Sequence, residues 1–152
     1  MRFGLALSGG ATRGAAHVGA MKALSEGGLH PSWISGTSAG SMVAALYACG
    51  YSIKELEEIA LSLTRDIYDT DYPGIVKGVL QWVFKKNTSW DGIIKGDNLE
   101  KLMKNLLGEK TMRDANMPLA ITSVDINSGV TIMFVSSKRR LRDTKNTIYV
   151  DD

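Results

Sequence analysis

A serine within the G-x-S-x-G pentapeptide Gly36-Thr37-Ser38-Ala39-Gly40 is the feature of this sequence best suited to chemistry. It follows the short apolar run Trp33-Ile34 and opens into the helix-like pattern Ser41-Met42-Val43-Ala44-Ala45-Leu46. On a tight strand-to-helix turn a serine takes a strained backbone conformation that projects its hydroxyl clear of the sheet, and the residues two places either side must be small. Gly36 and Gly40 meet that need, so Ser38 is the expected nucleophile. The pentapeptide alone does not decide the matter, because Gly, Ser and Ala are common and the same string arises in plain turns.

A second stretch, Gly9-Gly10-Ala11-Thr12-Arg13-Gly14, lies between an apolar run and a helical pattern. Strand, glycine-rich turn and helix are the parts of a phosphate or oxyanion cradle, since glycine lets bare backbone N–H groups point at one anionic oxygen near a helix N-terminus. A P-loop would need Lys-Ser or Lys-Thr after Gly14, where this chain has Ala15-Ala16, and the G-x-G-x-x-G dinucleotide spacing is not met. Oxyanion binding remains.

A serine nucleophile also needs a base, for which histidine is the usual residue. Only His17 and His30 are present, and both precede Ser38, which excludes the order Ser, acid, His. His17 falls early in the first helical pattern and His30 beside Pro31 in a loop, where packing and solvent exposure account for them better than catalysis. A carboxylate acting directly on Ser38 is the remaining option. No cluster of His, Cys, Asp and Glu has metal-ligand spacing, and neither a metal nor a cofactor is expected.

The elements that position these groups follow from the hydrophobic pattern. Arg2 to Ser8 reads as a strand buried on both faces of a parallel sheet, and the helix after it carries Ala16, Val18, Met21 and Leu24 before stopping at Gly27-Gly28. The second strand-turn-helix unit is built on Ser38, with its helix running to about Cys49 and ending at Gly50. Two successive units of this kind place both turns at the carboxyl edge of one sheet, where α/β proteins bind ligands. Ser52 and Glu55 make a capping box for a helix with Ile53, Leu56, Ile59, Ala60 and Leu63 on one face, and Asp66 to Gly74 reads as a loop.

From Ile75 to Phe84 the chain is apolar but interrupted by Lys77 and Gly78, with Trp82-Val83-Phe84 just ahead of Lys85-Lys86. Core packing is the first reading, and an amphipathic helix that rests on lipid or lids the site is the alternative, which would add peripheral membrane contact. Asp97 caps a helix with Leu99, Leu102, Met103, Leu106 and Leu107, stopped by Gly108. Pro118 to Ile126 and Val130 to Ser136 read as strands joined by Asn127-Ser128-Gly129.

At 152 residues, with 44% hydrophobic and 22% charged, the chain reads as one soluble globular domain, without internal repeat or linker. A net charge of +2 does not argue for nucleic acid. The cluster Lys138, Arg139, Arg140, Arg142 and Lys145 reads as a solvated loop ahead of an anionic-lipid contact. The single cysteine, Cys49, rules out an intramolecular disulfide and suits a reducing compartment; with no secretory pattern at the N-terminus, the expected location is cytoplasmic, with a peripheral place at the membrane surface under the amphipathic reading. Residues 27–53 lack Asp, Glu, Lys and Arg, yet hold too many Gly, Ser, Thr, His and Pro residues for a membrane span.

Leu7-Ser8-Gly9-Gly10-Ala11-Thr12-Arg13-Gly14, with Ala15-Ala16-His17-Val18-Gly19 behind it, resembles the oxyanion segment of the patatin-like phospholipases, and Gly36-Thr37-Ser38-Ala39-Gly40 is similar to their nucleophile elbow. The resemblance is strong over residues 1 to about 60 and looser beyond. It implies an α/β fold of three layers about a mainly parallel sheet, and a serine acyl hydrolase that uses a Ser-Asp dyad on phospholipids or related acyl esters. Under it Ser38 attacks the ester carbonyl, the backbone around Gly9, Gly10, Ala11 and Gly14 holds the oxyanion, and the Arg13 side chain anchors the loop. Ala11 stands where many members have a third glycine.

The family's aspartate lies in an Asp-Gly-Gly or Asp-Gly-Ala motif on a later strand, whereas the one Asp-Gly pair here, Asp91-Gly92, is followed by Ile93. Asp125, Asp151 and Asp152 lack the motif as well. The expectation is therefore that the dyad aspartate lies beyond residue 152, that the domain is incomplete, and that the chain alone is nearly inactive, with no carboxylate in reach of Ser38. A catalytically idle lipid-binding or regulatory module is the alternative function. An acyltransferase ranks lower, because that chemistry on a related fold uses a histidine after the serine.

Overall fold

The computed structural model describes residues 2–68, 97–137 and 141–151. Asp91, Asp152, the stretch 75–86 and Lys138 to Arg140 lie outside the described residues.

Two βα units open the chain. Strand β1 (Gly4–Leu7) runs through a 3-10 turn (Ala11–Gly14) into α1 (Ala15–Glu26), and β2 (Trp33–Thr37) turns at Ser38 directly into α2 (Ala39–Ala48). Helix α3 (Ile53–Tyr68) begins at the expected capping box: the Ser52 N–H donates to Glu55 Oε2 at 2.8 Å and the Glu55 N–H to Ser52 Oγ at 3.3 Å. It runs three residues into the stretch read as a loop from Asp66, because no proline or glycine interrupts the pattern before Pro73. Helix α4 (Asp97–Leu107) starts at Asp97 itself, and a 3-10 turn at Met112–Asp114 leads to β3 (Leu119–Val124), β4 (Thr131–Val135) and β5 (Thr147–Asp151).

The five strands lie in the order β1-β2-β3-β4-β5. β1, β2 and β3 run parallel, the β3–β4 hairpin is antiparallel, and β4 and β5 are parallel to each other. This is the mainly parallel α/β sheet that the alternation of strand and helix patterns implies. The register aligns Leu7 with Gly36, Ile34 with Leu119, and Gly36 with Ile121. Leu5, Leu7, Ile34, Leu119 and Ile121 thus share one face, and they pack with Val18 and Met21 of α1, Ala44, Ala45 and Ala48 of α2, and Leu56 of α3.

On the other face Ala6 and Thr37 are exposed and Trp33 is 45% exposed. β1 is therefore not buried on both faces among the described residues, because the described helices gather on one side of the sheet.

Candidate active site

Ser38 sits between the last residue of β2 and the first of α2, with φ 51° and ψ −124°. Positive φ is strained for a residue with a side chain, and such strain persists only where the surroundings over-determine it. Those surroundings are close backbone approaches. A Cβ on Gly36 would lie 2.4 Å from the Gly40 carbonyl oxygen, and one on Gly40 would lie 2.4 Å from that of Leu7. No larger residue fits at either place, so the sequence spacing translates into a turn that cannot be made otherwise.

Three further bonds fix this turn. The Ser38 carbonyl accepts from the Ser41 N–H at 2.9 Å and from Ser41 Oγ at 2.5 Å, and Thr37 Oγ1 lies 2.6 Å from Thr122 Oγ1 on β3. Sequence reasoning passed over Ser41 and Thr122. Serine three places after the turn residue was a legible sign of back-bonding within the first helical turn, whereas the Thr37–Thr122 pair depends on β2–β3 register and could not be read locally.

The glycine-rich loop packs against the same serine. A Cβ on Gly9 would be 3.3 Å from Ser38 Cβ and 4.0 Å from Ser38 Oγ, and one on Gly14 would be 2.7 Å from Ala39 Cβ. The loop is closed by the Arg13 N–H donating to the Gly10 carbonyl at 2.9 Å, and Ala11 adopts φ 48°. The Arg13 guanidinium is exposed and makes no hydrogen bond or ion pair among the described residues, so the visible anchor is the main chain of Arg13 and not its side chain. The Gly10 and Ala11 N–H groups likewise have no acceptor among the described residues.

Helices α1 and α2 both begin beside these groups, and neither carries an acidic residue in its first turn. Unsatisfied N–H groups and two helix N-termini make the local field positive, which favours a developing oxyanion.

The candidate bases are placed as follows. His17 Nε2 lies 2.8 Å from the Ser8 carbonyl oxygen. A carbonyl can only accept, so Nε2 carries the proton and the ring holds the start of the loop. His30 is exposed in the loop before β2. Asp125 turns its carboxylate into the β3–β4 hairpin, accepting from the Asn127 N–H at 3.0 Å and Ser128 Oγ at 2.6 Å. The Ser128 hydroxyl first, then the Asn127 N–H, holds that carboxyl below its usual range. Among the described residues no carboxylate is hydrogen-bonded to Ser38 Oγ. Among them, too, no helix is long and apolar enough to cross a membrane.

The sequence profile described as Patatin-like phospholipase matches residues 5–151. An uncharacterized protein, YqhO, of Bacillus subtilis is 36% identical over 108 residues, covering 70% of this chain and 36% of YqhO. Lysophospholipase NTE1 of Scheffersomyces stipitis is 42% identical over 77 residues, 46% of this chain and 5% of its own length. Triacylglycerol lipase ptl3 of Schizosaccharomyces pombe is 32% identical over 121 residues, 73% of this chain and 23% of the lipase. The chain thus spans 36% or less of the length of these relatives.

Proposed function

This chain belongs to the patatin-like phospholipase family, and on that premise we propose that it is a serine acyl hydrolase acting on phospholipids or related acyl esters. The observation that carries the reading is the strained Ser38 turn packed against Gly9, with the Gly10 and Ala11 amides, one and two residues on, without an acceptor among the described residues. Relatives named as a lysophospholipase and a triacylglycerol lipase support an ester-linked acyl substrate.

In this reading Ser38 Oγ attacks the ester carbonyl as its proton passes to an aspartate outside the described residues. The carbonyl π electrons move to oxygen, where the Gly10 and Ala11 N–H groups stabilise the charge by about 3 kcal/mol each. Collapse expels the alcohol, which takes up the proton, and leaves an acyl-serine. Water then attacks that ester, and Ser38 is released with the fatty acid. Gly36, Thr37, Ala39 and Gly40 hold the serine in place, Gly9 and Gly14 let the loop approach it, and His17 positions the loop through Ser8. Arg13 supplies an exposed cation beside the loop. The reaction needs no metal or cofactor. Its expected setting is the cytoplasmic surface of a membrane, where the substrate lies.

The lack of a carboxylate bonded to Ser38 among the described residues favours one second reading, an idle lipid-binding module. The two separate in the full-length protein. Ser38→Ala should lower hydrolysis of a nitrophenyl butyrate ester and of a fluorescent phospholipid by several powers of ten with an unchanged circular dichroism spectrum. His17→Ala should cost at most about tenfold, the worth of one hydrogen bond. Full-length protein without Ser38-dependent release of fatty acid would leave the module; a silent but folded His17→Ala variant would overturn the histidine-free mechanism.

A further inference from the structure

A cleft of about 390 Å³ runs between α2, α4 and β3. Met42 and Ala45 line it from α2, Met103 and Leu107 from α4, Met112 from the 3-10 turn, and Ile121 from β3. Its upper end lies beside the nucleophile turn: Ser41, which also lines it, is bonded to the Ser38 carbonyl, and Ile121 is in register with Gly36. There Leu99 at the start of α4 is 47% exposed, so among the described residues this end is open.

The lower end is bridged by three bonds. Lys110 Nζ donates to the Cys49 carbonyl at 3.1 Å, the Asn116 N–H to the Ala48 carbonyl at 2.7 Å, and Tyr51 Oη to the Leu106 carbonyl at 2.5 Å. These bonds tie the C-terminal end of α4 and the segment after it to the end of α2. The polar side chains along the walls are also engaged: Ser41 Oγ on the Ser38 carbonyl, Thr111 Oγ1 on Asp114 and Lys110 on Cys49. What the cleft offers a ligand is carbon and sulfur, from methionine side chains that adapt to a flexible chain.

We propose that this cleft receives the acyl chain of the substrate and measures its length. The inference rests on the acyl-hydrolase reading of Ser38 and adds where the chain goes. From Ser38 to Cys49 helix α2 descends eleven residues, about 16 Å at 1.5 Å per residue. A zigzag of roughly 1.5 Å carbon–carbon bonds advances about 1.3 Å per carbon, so an acyl chain of about twelve carbons held at Ser38 reaches Cys49. Each methylene up to that length strengthens binding by roughly fourfold. A longer chain meets the Lys110 ammonium and gains nothing further.

Cys49 is the single cysteine of the sequence and lines the far end of the cleft, which makes it a natural reporter. The test is the rate of Cys49 alkylation by N-ethylmaleimide at alkaline pH, with sodium laurate or sodium hexanoate below their micelle concentrations, alongside the thermal midpoint for saturated fatty acids of four to sixteen carbons. Laurate should slow alkylation by tenfold or more and hexanoate should leave it unchanged, and the midpoint should climb to about twelve carbons and then level. Met103→Trp, which fills the middle of the cleft, should abolish laurate protection in a folded protein; Met42→Trp serves if the first variant does not fold. Ser38→Ala should retain protection, so hydrolysis that survives this substitution while protection stays intact counts against the catalytic reading alone. Equal protection by hexanoate, no laurate effect on either measurement, or full protection in a folded tryptophan variant would overturn the assignment.

Discussion

Gly40 and Ala11 make opposite demands on the same few ångströms of backbone. At Gly40 a Cβ would press on the Leu7 and Ser8 carbonyl oxygens at 2.4 and 2.6 Å. Backbone on both sides leaves no soft partner to yield, and overpacking of this kind costs roughly 1–3 kcal/mol or more. Gly40→Ala should therefore lower the unfolding free energy measured in urea by that amount and misplace Ser38 together with it. Ala11 already has a Cβ at φ 48°, where an L-residue is strained by about 1–2 kcal/mol. Ala11→Gly removes that strain but frees the unfolded chain by about 0.5–1 kcal/mol, so its urea midpoint should stay level or rise slightly. A marked loss of stability in Ala11→Gly would show that the methyl group holds the loop. Glycine spacing at 36 and 40 was legible in the sequence because the clash is local. The tie from His17 to Ser8 was not, since nothing in the spacing says that a histidine early in α1 turns back to the strand before it.

The capping box of α3 was also read directly, being a four-residue device with its own hydrogen bonds. Strand β5 was not, because its pairing with β4 is a parallel partnership across the connection after β4 and leaves no turn motif to find. The capping box carries an acid sensitivity. Hydrogen bonds from the Ser52 hydroxyl first, then from its N–H, hold Glu55 below the usual carboxylate range. Asp114 is lowered in the same way by Thr111, main chain first, and Asp125 by Ser128 and Asn127. A carboxyl with a folded pKa below its unfolded value adds stability that is fully present above the unfolded value, about 4, and is lost as pH falls through the folded one. The urea midpoint should hold near pH 6 and decline from about pH 5 toward pH 3, and Glu55→Gln should flatten part of that decline. Ser52→Ala should cost ~1 kcal/mol at pH 7. A Glu55→Gln profile that tracks the unmodified protein would show that the box contributes nothing to acid stability.

Across the whole molecule the described helices lie on one side of the sheet, and the strand pattern could not reveal which side those helices would leave uncovered. An apolar run such as Phe3 to Leu7 reads alike whether one face or both are covered. The side without a described helix carries Ala6, Thr37 and Trp33, with the Arg2 guanidinium 5.4 Å from the Trp33 ring centroid. Such a cation over an exposed ring contributes roughly 0.5–1 kcal/mol, too little to hide an indole that remains 45% exposed. Exposed aromatic surface on a sheet face collects apolar dyes and partners. The 152-residue chain should accordingly bind anilinonaphthalene sulfonate in its native state, and Trp33→Lys should remove about half of that fluorescence. Because Trp33 projects away from the packed face, the same substitution should shift stability by less than about 1 kcal/mol. Unchanged dye binding together with a loss of several kcal/mol would mean that Trp33 is packed in the folded protein and that its side of the sheet is covered.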